Sequence, residues 1–163
     1  MSSDFYTNFI LPYAGIIIKI CRAYTNTQED FEDFYQEVCL QIWKSRENYR
    51  EDSDWSTWIY RITLNVCLTL IRKEKREKSK RDSQIDTTLL TEENKAFKDE
   101  SLNLLYEAIK SLKEVDRAII LLYLEEKSYK EIAAIIGVKA NAVGVRINRI
   151  KERLKKQLYE KVN

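Results

Sequence analysis

At 163 residues, with a net charge of +2 and no histidine, the chain has room for one ordinary domain or two small ones and lacks the commonest general base and zinc ligand. Only three glycines and one proline occur, while Leu, Ile, Glu, Lys, Arg and Gln abound, which favours helix and withholds the turn chemistry a sheet needs. The fold class is read as all-α. No apolar run approaches the roughly 20 residues of a membrane span, and Asp4 ahead of the first apolar stretch does not read as a signal peptide, so a cytoplasmic location is expected.

The small net charge hides segregation along the chain. Residues 1–60 carry five basic and ten acidic groups, residues 61–81 eight and two, residues 82–100 two and six, residues 101–128 four and five, and residues 129–163 nine and three. Two basic segments divided by an acidic one suggest two contacts with a single polyanion.

In chain order, a first domain over 1–80 is expected to hold three or four helices. Its second helix is marked by Phe31, Phe34 or Tyr35, Val38 and Ile42 at spacings of three to four. Cys21, Cys39 and Cys67 are odd in number and set in apolar surroundings, which reads as buried free thiols rather than a metal or redox site. A third helix runs from Trp55 to about Lys78, with Ile59, Ile62, Val66 and Leu70 as its apolar face and Trp58, Arg61 and Asn65 on another side. Tyr49, Trp55 and Trp58 lie within ten residues of one another beside Arg50 and Arg61. Aromatic rings next to basic groups are what an unstacked base requires, although both tryptophans could equally be core.

The periodicity then lapses over about residues 78–100, and an acidic, flexible linker is placed at 81–99. In the second domain, 100–163, Ser128 followed by Glu131 is a capping box that opens a helix, and Gly137 closes it. From about Asn141 a second helix keeps Val143, Ile147, Ile150, Leu154 and Leu158 on one stripe, with Arg146, Arg149, Lys151, Arg153, Lys155 and Lys156 on the remaining surface. Helix, glycine turn and basic helix form a helix-turn-helix pattern.

Three blocks in this order resemble the sigma-70 family of RNA polymerase sigma factors. Residues 30–43, DFEDFYQEVCLQIW, resemble the part of sigma region two that grips a coiled coil on the polymerase clamp. Residues 49–76, YREDSDWSTWIYRITLNVCLTLIRKEKR, resemble the part that melts and reads the minus-ten element. Residues 112–154, which include SYKEIAAIIGVKANAVGVRINRIKERL, resemble sigma region four, the reader of the minus-thirty-five element. With no further sigma domain around them, the blocks are similar to the extracytoplasmic-function group.

The resemblance implies two small helical domains and a non-enzymatic subunit that binds core polymerase through its clamp coiled coil and flap, selects promoter DNA and assists melting. It allows a membrane-bound anti-sigma factor as a further partner and calls for no cofactor, metal or small-molecule ligand. Asp33, Gln36, Glu37, Leu40 and Trp43 would meet the polymerase. Tyr49, Arg50, Ser53, Trp55, Trp58, Arg61, Asn65 and Arg72 would meet the minus-ten element, with the loop 49–54 and Asn65 forming a pocket for a flipped base. Ser128, Tyr129, Lys130, Lys139, Asn141, Arg146, Arg149 and Lys151 would meet the minus-thirty-five element. At Gly144 and Val145 the sequence departs from the family's usual Arg or Ser, so base contacts do not carry over; a side-chain-free Gly144 would let the helix approach DNA closely.

Two other functions fit less well. A dimeric helix-turn-helix regulator accounts for the second domain and leaves the aromatic cluster of the first without a role. A metal-dependent nuclease needs converging carboxylates, whereas Glu29, Asp30, Glu32 and Asp33 spread round a helix and Glu51, Asp52 and Asp54 share a loop.

Overall fold

A computed structural model of the chain describes residues 2–80 and 100–162, so the segment 81–99 expected to be a linker lies outside the described residues. All regular structure among the described residues is helical, and the chain divides into two compact units. No described helix is long and apolar enough to cross a membrane.

The first unit begins with a short helix α1 (Ser3–Phe5), continues through a π turn (Tyr6–Ile10) and a 3-10 turn (Leu11–Tyr13), and then forms α2 (Ala14–Ala23), α3 (Gln28–Ser45) and α4 (Trp55–Lys80). Thr27 opens α3, its hydroxyl accepting the Asp30 N–H at 3.1 Å, which satisfies a donor that the helix itself cannot. The core is built from Ile10, Ile17 and Ile20 against Val38 and Ile42 of α3 and Ile59 and Leu64 of α4.

The three cysteines are free and buried in this core, with the Cys21 and Cys67 sulfurs 3.9 Å apart. The Cys67 thiol is raised well above its usual range, first by its contact with the Cys21 thiol and then by burial. Burial chiefly pushes Cys39 up to about 11. These are protonated, poorly nucleophilic groups that act as small apolar side chains.

The inner face of α4 differs from the expected stripe. Ile59, Tyr60, Thr63, Leu64, Cys67 and Ile71 are buried, whereas Ile62, Val66 and Leu70 are only half-buried. The true face is turned by roughly a quarter of the circumference at 100° per residue. Because α4 packs on both α2 and α3, its buried arc is wide. A polar residue such as Thr63 fits inside it by donating its hydroxyl to the Ile59 carbonyl at 2.7 Å.

The second unit is formed by α5 (Glu100–Lys110), α6 (Glu114–Leu124), α7 (Tyr129–Ile136) and α8 (Ala140–Val162), with α8 packed on the other three. The capping box is complete: the Ser128 hydroxyl accepts the Glu131 N–H at 3.1 Å, and the Glu131 carboxylate accepts the Ser128 N–H at 2.8 Å. Gly137 ends α7 with φ 85°, a left-handed conformation that a side chain would strain, and the chain turns directly into α8. Val143, Ile147, Ile150 and Leu154 are buried as the stripe requires.

Ser128→Ala removes this cap and should cost about 1 kcal/mol. All three tryptophans lie in the first unit. The loss should therefore lower the far-UV CD transition and leave the tryptophan fluorescence transition in place. Glu131 is held below its usual range chiefly because it accepts the Ser128 N–H, so its contribution is present at neutral pH and disappears as pH falls through its depressed folded value. Glu131→Gln should thus be less stable than the parent at pH 7 and indistinguishable from it well below the ordinary carboxylate value of 4.5.

Candidate nucleic-acid interface

The start of α4 and the loop before it hold a group of aromatic rings in mutual contact. The Tyr49 ring meets Trp55 edge-on at 5.0 Å and Trp58 at 5.6 Å, and the two indoles lie 4.7 Å apart. Tyr49 also closes its own loop by donating its hydroxyl to the Ser53 carbonyl at 2.6 Å. Within that loop Glu51 adopts φ 60°, a strained value for a residue with a side chain. Trp55 and Trp58 are half-buried, so neither is simply core and each keeps part of its ring in solvent.

A second wall comes from the start of the chain, which sequence reasoning left out. The Trp55 Nε1–H donates to the Phe9 carbonyl at 2.8 Å, and Phe5 and Phe9 pack edge-on against the Trp55 ring. The Phe5 and Phe9 spacing of four, typical of one helix face, was the available signal. Trp43, expected on the polymerase-facing surface, joins the same group: Phe5 meets it edge-on at 5.1 Å and the Arg46 guanidinium lies 3.6 Å above its ring. Between these parts lies an open cavity of about 500 Å³ lined by Phe5, Phe9, Tyr13, Arg46, Tyr49 and Trp55.

Asn65 opens on a different concavity. It is exposed on α4 and lines a groove of about 330 Å³ with Glu37 and Gln41 of α3 and the half-buried Ile62, Val66 and Leu70. The expected flipped-base pocket therefore has its aromatic part and its amide part in two separate hollows. Arg61, on the same outward side of α4, is half-buried with its Nε lacking a partner, and Arg50 and Arg72 are exposed. On α3, Asp33, Gln36 and Leu40 are exposed along one face and Glu37 sits half-buried at its edge.

In the second unit the basic side chains are not equally available. Lys130, Lys139, Asn141 and Arg149 are exposed. Arg146 leans toward Asp116 on α6 at 3.9 Å, and the Lys151 ammonium lies 4.3 Å above the Tyr123 ring. That ring's hydroxyl raises the Lys151 pKa above its usual value. The Ser128 hydroxyl and N–H are both engaged in the capping box.

Gly144 also has a close neighbour inside its own unit. A Cβ placed on it would meet the Tyr129 ring at 3.2 Å, so the glycine accommodates that ring against α8. Tyr129 is 42% exposed and can yield by a few tenths of an ångström. Gly144→Ala should therefore recover most of the roughly 1 kcal/mol that glycine costs inside a helix, raising the urea midpoint of the second unit; a lowered midpoint would show that the Tyr129 ring is fixed.

With this geometry in place, comparison with known proteins is decisive. Residues 9–77 match sigma-70 region 2 and residues 102–154 match sigma-70 region 4. The extracytoplasmic-function (ECF) sigma factor SigW of Bacillus subtilis is 28% identical over 169 residues, covering 96% of this chain and 90% of SigW. The ECF sigma-E factor of Escherichia coli K12 is 30% identical over 135 residues, covering 76% of this chain and 71% of that one. In structure, the sigma factor RpoE of Bartonella quintana, solved in complex with the anti-sigma factor NepR, aligns with a TM-score of 0.75 at 20% identity, covering 97% of this chain and 98% of RpoE. CnrH, solved with the cytosolic domain of CnrY, aligns at 0.67 and 18% identity, covering 98% of this chain and 90% of CnrH.

The two units are thus those of sigma-70 regions two and four. The chain belongs to the sigma-70 family, in its extracytoplasmic-function group. It is a non-enzymatic factor of transcription initiation that directs polymerase to promoters.

Proposed function

We propose that the labour of initiation is divided at the segment 81–99, with residues 1–80 binding core polymerase and opening the minus-ten element and residues 100–163 holding the minus-thirty-five element as duplex. The observation that carries this reading is the outward side of α4. Trp58, Arg61 and Asn65 point away from the buried face, next to an aromatic group too exposed to serve only as core. Opening a duplex needs ring surfaces that compete with stacking, cations for the backbone and a hydrogen-bonding group for a base edge, and this side of α4 offers all three.

Docking on core polymerase falls to the α3 face of Asp33, Gln36, Glu37 and Leu40, a mixed surface with Leu40 37% exposed, suited to another helix pair. Trp43 supports it from the aromatic group rather than from the open face. Arg50 and Ser53 flank the melted strand beside Tyr49 and Trp55, and Arg72, roughly 25 Å further along α4, meets the backbone beyond them. In the second unit Lys130, Lys139 and Asn141 reach the backbone and groove together with Arg149, while Ser128, Tyr129, Arg146 and Lys151 hold the helices that present them. Such a factor acts in the cytoplasm with polymerase and DNA. An anti-sigma factor, as in the RpoE complex, is the partner expected to hold it inactive.

Asn65 tests the reading most sharply, because it is exposed and contributes little to packing. A good bidentate pair between an Asn amide and a base edge is worth about 1–3 kcal/mol, so Asn65→Ala should reduce open complex by about fivefold or more without weakening core binding. Permanganate reactivity of promoter thymines reads this out on a normal duplex and on one already mismatched across the minus-ten region. The mismatched template should restore part of the lost transcription. An Asn65→Ala protein that opens the normal duplex as well as the parent would remove Asn65 from the interface, and equal indifference to Tyr49→Ala would remove the aromatic group.

A further inference from the structure

One side of α8 is left uncovered by its own unit. Val143, Ile147, Ile150 and Leu154 are buried and define the inner side. Both flanks are occupied as well. On one, Tyr129 packs against Gly144 and the Tyr123 ring lies under Lys151. On the other, Arg146 leans to Asp116. At 100° per residue, the side chains within about 60° of the outward direction in the first turns are Asn141, Val145, Asn148 and Arg149, and all four are exposed.

Val145 sits at the centre of that face and is 54% exposed. A β-branched apolar side chain there gains nothing from the core and is a poorer helix former than Ala. Its neighbours are two amides and a guanidinium, groups that pair with adenine and guanine edges in the major groove. The same groove offers one apolar partner, the C5 methyl of thymine.

We propose that Val145 reads a thymine methyl group in the minus-thirty-five element, as the apolar centre of a reading face whose hydrogen-bonding members are Asn141, Asn148 and Arg149. The inference rests on the assignment of the second unit to duplex promoter DNA and adds a base-reading role at a position where the family's usual side chains are missing. The discriminating group is a single methyl: deoxyuridine pairs like thymidine and lacks only that group, so replacing one by the other removes the proposed partner and leaves every hydrogen bond in place.

The test uses the full chain assembled with core polymerase. The upstream element is first enriched from duplexes randomised there, and each thymine of the enriched sequence is then replaced by deoxyuridine in turn. One replacement should weaken binding about three- to fourfold, the value of one buried methyl group. In Val145→Ala that penalty should shrink, and in Val145→Asn it should vanish, while Arg149→Ala weakens binding and keeps it. Val145→Ala lies on an exposed helix face, and unchanged far-UV CD confirms that it folds. A methyl penalty that persists undiminished in Val145→Ala, or an enriched element with no methyl-sensitive thymine, would overturn the proposal and leave Val145 facing a protein or solvent. Failure to enrich any upstream element, with Arg149→Ala also without effect, would instead overturn the assignment of the second unit to DNA, and the inference with it.

Discussion

Six buried side chains of α4, from Ile59 to Ile71, fix the rotation of that helix about its own axis. A shift of one residue would turn the helix by about 100°, bringing Asn65 or Arg61 toward the core and leaving an uncompensated polar or charged group away from water. What the helix presents outward is therefore a consequence of what it buries. The same holds in the second unit, where the stripe from Val143 to Leu154 locks α8 and leaves Val145 and Arg149 outside.

The aromatic group at the start of α4 is prepared in a different way. Its rings meet edge-on or tilted at 4.7–6.4 Å, and contacts of this kind are worth about 0.5–1.5 kcal/mol each beyond the area they bury. The Trp55 hydrogen bond to Phe9 ties the start of the chain to the loop at 49–54, and Tyr49 holds that loop shut against the strain at Glu51. Rings held in place in this way would lose little freedom on meeting a ligand.

Much of this was legible in the sequence where the governing interactions are local. The capping box of Ser128 and Glu131, the stop at Gly137 and the stripe through Ile147 and Ile150 depend on residues within a few positions of one another, and each is where the pattern placed it. The inner face of α4 was misplaced because hydrophobic periodicity passes over Tyr60, Thr63 and Cys67, which are buried by packing on two helices at once. Phe5 and Phe9 went unnoticed because their partner Trp55 is about fifty residues away, beyond any local rule. The neighbour of Gly144, the Tyr129 ring, lies on the preceding helix and is likewise invisible to periodicity.

On the proposed reading, one chain joins a melting surface and a duplex-reading surface on core polymerase. Transcription from a library of random templates by core polymerase, with and without the full chain and with start sites mapped, tests it most directly. Starts should depend on the chain and lie downstream of two sequence blocks at a fixed separation. Starts no more frequent than with core alone, or templates sharing only a palindrome of the kind a dimeric regulator binds, would contradict it.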